Sequence, residues 1–141
     1  MKKLVGISLQ EITPDWEMIS RLLTAAARNL SDANIVEISL ETRFDAAYKS
    51  ILQSANAALQ ASGYRTLTSK PGHHQTMIQL LTKTAGVDRE TIIVLDALRR
   101  QRNVVDYSGD IIPASAVSEC VKQATCLLNQ VSQRISDQKA D

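Results

Sequence analysis

Aromatic side chains are scarce in this chain: one Trp, one Phe and three Tyr among 141 residues. A core built mainly on rings is thereby excluded, and aliphatic residues with alanine must do the packing. Five glycines and three prolines leave long stretches without turn punctuation. That argues against a sandwich of many short strands and in favour of helices. Cys120 and Cys126 are the only cysteines, too few for a closed zinc site. Six residues apart in one predicted helix, they are separated by about 9 Å along the axis, too far for a disulfide within it. Reduced thiols in a cytoplasmic protein are expected. No run approaches the roughly 18 apolar residues of a membrane span. Met1-Lys2-Lys3 leads only into a short mixed stretch before Glu11, so no secretory leader and no membrane role are expected. Charge of one sign is also lacking. With 16 basic and 15 acidic residues the formal net charge is +1, far from the excess usual in a sequence-blind nucleic-acid binder.

What is present is an ordinary globular balance, 44% hydrophobic and 22% charged, in a chain of single-domain length. Residues 1–12 read as an N-terminal extended arm. Thr13-Pro14-Asp15 looks like a helix start, with Thr13 as the cap and Pro14 in the first helical position. Trp16, Ile19, Leu23, Ala26 and Leu30 form the apolar stripe of that helix, which should end near 31–34. A second, alanine-rich helix is predicted from Ser39 to Ser62, with Phe44, Tyr48, Ile51, Ala55, Ala58 and Leu59 inward and Gly63 as its stop. Were its alanine side not covered within one chain, a two-fold partner would bury it. A loop follows over 66–72, then a helix from His73 to Ala85. Asp88 caps the next helix, Ser108-Gly109-Asp110 breaks it, and Pro113 opens the last. Residues 138–141 are expected to fray. The expectation is an all-α, up-and-down bundle of four to five helices over residues 13–137.

One position stands out from this pattern. Leu95, Leu98, Arg102 and Val105 follow at steps of three, four and three, one face of a helix. A guanidinium keeps its charge in any protein interior and is costly to bury without a partner. Either a carboxylate or carbonyl satisfies Arg102, or its seam opens onto an anion-binding groove. Arg99, Arg100 and Arg102 form the strongest basic cluster, yet Asp96 and Asp106 flank it, as on a solvated helix face.

Catalytic patterns are few. There is no glycine-rich phosphate loop, no nucleophile elbow and no carboxylate-plus-histidine pair at the four-residue spacing used for metals. The two histidines, His73 and His74, are adjacent. Neighbouring helical residues point about 100° apart, so no metal site is expected of them and no cofactor is implied. They follow Lys70-Pro71-Gly72 at a predicted helix start, where an anion is favoured; packing under the loop is the plainer role. Arg102 can hold a phosphate through paired N–H groups. Asn103 can bond to a base or ribose, and Tyr107 is a poor general base near neutral pH. In a regular helix Arg102 and Tyr107 point well apart, so they converge on one ligand only at a helix end or with a second subunit.

Three stretches together resemble the HEPN domain family over roughly residues 15–135: Phe44-Asp45-Ala46-Ala47-Tyr48 running to Gly63-Tyr64, Gly72-His73-His74, and Leu98-Arg99-Arg100-Gln101-Arg102-Asn103-Val104-Val105-Asp106-Tyr107. The resemblance implies a helical bundle of four main helices and a shorter one, commonly a homodimer. It implies a groove at the dimer interface, with Arg102 as the family arginine and Asn103 as its polar neighbour. Active members cleave RNA without a metal, through the ribose 2′-OH, and many are toxins of toxin–antitoxin or defence systems paired with a nucleotidyltransferase-type antitoxin. Members without the motif histidine bind nucleotides or RNA, or act as partners. Tyr107 stands where that histidine belongs. The expectation is therefore a nucleotide- or RNA-binding module that does not cleave, with Arg102, Asn103, Tyr107, Arg99, His73, His74 and Lys70 as ligand-binding candidates and no catalytic residue assigned. The alternatives are a metal-independent endoribonuclease using Arg102 with His73 or His74, and a pure protein-interaction domain with Arg102 in a structural ion pair.

Overall fold

The computed structural model describes residues 1–68, 72–109 and 111–140, with the side chains of 106–108 and 140 outside that description. Four long helices carry the fold: α1 (Trp16–Ala33), α2 (Leu40–Ala61), α5 (Arg89–Ser108) and α6 (Ala114–Ala140). Two short ones, α3 (His73–Gln79) and α4 (Leu81–Thr84), lie between α2 and α5.

The centre is α2. Its N-cap is Ser39, whose hydroxyl accepts from the Thr42 N–H, as the sequence suggests. Along its 22 residues, about 33 Å, small side chains let two neighbours come close. Ala47, Ala55 and Ala57 have no exposed surface, and Ala46, Ala58 and Ala61 are buried beside them. The alanine side is thus covered within one chain by α1 and α6, and it supplies no reason for a second subunit. Ser50 fits the same crossing, its hydroxyl donating to the Ala26 carbonyl at 2.8 Å. Arg43 Nε donates to the Ala33 carbonyl, so residue numbers rise on one helix as they fall on the other, and α1 and α2 are antiparallel. On the other side, Cys120 lies near Phe44 and the Gln138 amide donates to the Ala61 carbonyl. Both contacts advance together, so α6 runs parallel to α2. The segment between them must carry the chain back, and α5 does so. It packs chiefly on α3 and more lightly on α2, α4 and α6.

Four expectations change. The helix start is capped by Asp15, not Thr13; its carboxylate accepts from the N–H groups of Glu17 and Met18, and a carboxylate suits the positive end of the helix dipole. The arm is no free extension. Lys2–Leu4 forms a 3-10 turn, and β1 (Leu9–Glu11) pairs antiparallel with β2 (Tyr64–Thr66), with Leu9 opposite Thr66. Burying Leu9 completely and pairing its backbone anchor the segment. Gly63 makes this possible at φ 93°, turning the chain out of α2 toward Ile12. The single helix expected over 73–85 is divided at Leu80. Met77, Ile78, Leu80 and Leu81 are all buried, more than one helical stripe can face inward, and the break lets each piece present its own. Finally, α6 continues through the tail to Ala140, held by the Gln138 bond and by Lys139, whose ammonium lies 5.7 Å from the Trp16 ring centroid.

Candidate anion-binding cleft

The inward stripe of α5 is as the spacing requires, with Leu95, Leu98 and Val105 buried. Arg102 meets a carboxylate on another helix. Its Nε lies 3.1 Å from Asp45 Oδ1 of α2, an ion pair between the two helices. The guanidinium also lies 5.4 Å from the Tyr48 ring centroid. The pair is at the rim of the core: the Arg102 side chain keeps 26% of its surface exposed and Asp45 keeps 40%. Tyr48 is nearly fully buried, and its hydroxyl has no hydrogen-bond partner among the described residues. Burial pushes its phenol up to about 12, against the opposing pull of Arg99 and Arg102. It is therefore a packing surface for the guanidinium and not a base.

Nearer the start of α5, Asp96 organises the other arginines. This carboxylate is buried and accepts from Arg99 Nε at 2.9 Å, while Arg100 reaches its other oxygen at 2.8 Å. Arg100 remains largely exposed, so for it the solvated-face description holds. Arg99 does not, because its side chain is only 17% exposed. With Nε held by Asp96, Arg99 lines a small cleft between α3 and α5. Gly72, His73, His74, Gln75, Arg99 and Asn103 line this space of about 180 Å³.

The loop that brings the histidines here turns at Gly72, with φ 78° and open space where a Cβ would stand. His73 and His74 touch edge to face, ring centroids 4.4 Å apart at 70°. Desolvation holds the His74 pKa below its ordinary 6.5, and His73, Arg102 and Arg99 add to the depression. The α3 helix has only seven residues, too short to lean on a helix dipole. The side chains are what give this cleft its chemistry.

Four residues singled out in the sequence thus come together: His73, His74, Arg99 and Asn103. Arg102 sits beside them but turns toward Asp45. Lys70 and the Tyr107 side chain lie outside the described residues. Gln75, Asp45, Asp96 and Tyr48 complete the surroundings, and sequence reasoning did not assign them to the site. Asp45 carried a signal, an acid within an alanine-rich, largely inward segment. Larger grooves flank α5 near Ile93, one of about 420 Å³ lined by Val94, Ala97, Leu98, Pro113 and Ala116 among others. They are mostly apolar and bring no set of convergent charges together, so size alone does not identify the site. Among the described residues no three His, Cys, Asp or Glu side chains cluster to hold a metal, and no helix is long and apolar enough to cross a membrane.

The cleft offers a cation, two amides and two imidazoles, and among the described residues no carboxylate lines it. It suits an anion, and His74 makes its charge depend on pH. At pH 7 the depressed His74 is neutral. An anion stabilises the imidazolium, so binding should tighten as pH falls below neutrality and should draw in a proton. In the unfolded chain His74 protonates near its ordinary pKa, above the folded one. Between the two values the unfolded state holds more protons, and this group's contribution to stability falls as pH falls through that window. A histidine NMR titration should place the His74 midpoint below 6.5 without anion and move it upward with inorganic phosphate. A midpoint at or above 6.5 in anion-free buffer contradicts the arrangement. Compared with known proteins, the chain matches no family model and no curated protein.

Proposed function

We propose that this protein is an HEPN-like helical module that binds a nucleotide or RNA through its phosphate at the α3–α5 cleft, without cleaving it. The observation that carries this reading is the convergence of Arg99, Asn103, His73 and His74 on one small polar cleft. Arg99 is placed by Asp96 before any ligand arrives, so little side-chain entropy is lost when its remaining N–H groups meet a phosphate. Asn103, exposed one turn further along, is placed to bond a ribose hydroxyl or phosphate oxygen. Tyr107, where the resembled family has its histidine, is the reason to expect no cleavage. The same resemblance supports homodimerisation and a toxin–antitoxin or defence setting with a nucleotidyltransferase-type partner. The exposed Ile93 and Val104 on α5 are compatible with a partner surface there.

A second reading has a specific observation in its favour. Both histidines line the cleft with Arg99, and the depressed His74 is neutral at pH 7, as a general base must be. One imidazole would take the proton of the ribose 2′-OH as it attacks phosphorus. The other would give a proton to the departing 5′-oxygen, with Arg99 stabilising the charge on phosphorus. In this metal-independent endoribonuclease, Arg102 keeps the cleft's potential positive from beside it.

One pair of measurements separates these readings from a pure interaction domain. A short RNA or AMP at low ionic strength should raise the melting temperature, because a ligand of the native state stabilises it. Incubation of the RNA with the protein in EDTA should leave it intact. Cleavage that disappears in His74→Gln would replace the first reading with the second. No thermal shift and no cleavage would leave only the interaction domain.

A further inference from the structure

We infer that the cleft selects a terminal phosphate, the phosphomonoester at the end of a nucleotide or RNA chain, over an internal phosphodiester. This rests on the reading that the cleft takes nucleic-acid phosphate and narrows it to one chemical class.

Size is the first reason. The cleft holds about 180 Å³, below the roughly 300–1,000 Å³ of sites that enclose a whole small molecule. It has room for a phosphate and the atoms beside it, and base and sugar must lie outside. An internal phosphodiester has to bring two sugar substituents to this volume, whereas a terminal phosphate brings one. Nothing stands within 4 Å of where a Gly72 Cβ would lie, so among the described residues that side is open to the single substituent.

Charge is the second reason. A phosphomonoester carries about −1.5 to −2 at pH 7, a diester a single negative charge. Coulomb attraction scales with the ligand's charge, so a positive surround rewards the monoester more. Arg99 lines the cleft, and Arg102 stands near enough to lower the His74 pKa with it; Asp96 pairs with the first and Asp45 with the second. Neither carboxylate lines the cleft. Apart from Gly72 the described lining residues carry polar side chains, and the only rings among them are two imidazoles engaged edge to face with one another. It therefore recognises the phosphate itself and offers little for reading a base.

The test is fluorescence anisotropy at low ionic strength with three internally labelled adenylate oligoribonucleotides of one length. One ends in hydroxyls, one has a 5′-phosphate and one a 3′-phosphate. At least one phosphorylated end should bind about tenfold tighter or better than the hydroxyl form, a difference of about 1.4 kcal/mol, and the arm that does so identifies which end is held. AMP should compete better than 3′,5′-cyclic AMP. Asn103→Asp, a change at an exposed position that puts a carboxylate in the lining, should erase the preference while circular dichroism stays unchanged. Equal binding of all three RNAs overturns the proposal and leaves the general phosphate reading standing. Binding of none removes both. A preference that persists in Asn103→Asp puts the selectivity elsewhere and overturns it as well.

Discussion

Arg99→Ala is expected to weaken binding of AMP or a short RNA by roughly 10- to 100-fold, and Arg102→Ala by no more than a few-fold. A hydrogen bond to a charged partner contributes about 1.5–3 kcal/mol net, and about 1.4 kcal/mol corresponds to a factor of ten. Arg99 is the guanidinium that lines the cleft, already oriented through its 2.9 Å bond to Asp96. Removing it deletes the cation and also leaves Asp96 with Arg100 alone, which turns the local potential less positive. Arg102 acts from outside the lining and shares its charge with Asp45. Its loss should be felt as a weaker field, partly screened because both side chains of the pair reach solvent. The measurement is anisotropy at low ionic strength, with melting curves to show that each variant is folded. A larger loss from Arg102→Ala would return the ligand to the groove that the spacing of α5 first suggests.

That reversal of roles shows how far sequence reasoning reaches. Leu95, Leu98, Arg102 and Val105 were legible as one face because helical geometry is local and periodic. The same holds for Ser39, Asp88 and Gly63, where capping chemistry depends on a few neighbouring residues. Which carboxylate meets Arg102 is not a local question. Asp45 lies in a different helix, and only the packing of α5 beside α2 brings them to 3.1 Å. Arg99 looked like part of a solvated charge pattern, and Arg100 is just that. What separates the two is how Asp96 draws Arg99 inward, a side-chain choice that spacing does not encode. The histidines were suggestive by their place after Gly72. That they line the cleft beside α5, with His73 half-buried and His74 exposed, depends on where α3 settles, which the burial of Met77, Ile78, Leu80 and Leu81 decides. Short elements were the least legible. β1 and β2 have three residues each, too few for alternation to show, and they exist because the arm and the chain leaving α2 meet across the fold.

The second large effect concerns stability. Phe44→Ala is expected to cost about 3–5 kcal/mol, a large share of the about 5–15 kcal/mol that holds a domain of this kind together. Phe44 is the chain's single phenylalanine and has no exposed surface. The alanine-lined helices around it cannot close the gap, since alanine side chains have no freedom to swing into a cavity. Leu and Ile rotamers can relax; a backbone carrying methyl groups has to move as a whole. The melting temperature should drop by roughly 10–20 °C, read by differential scanning calorimetry or circular dichroism. The consequence reaches the cleft through two neighbours in sequence. Asp45 follows Phe44 directly, and Tyr48 lies one turn beyond on α2; these two residues seat Arg102. Arg99, held by Asp96 within α5 itself, does not depend on that seat. Phosphate affinity measured well below the lowered melting temperature should therefore stay within about threefold of the parent, a change worth less than 1.4 kcal/mol. A drop of about tenfold or more in folded Phe44→Ala would mean that the position of α5 on α2, and not the Asp96 anchor, is what sets Arg99 in place.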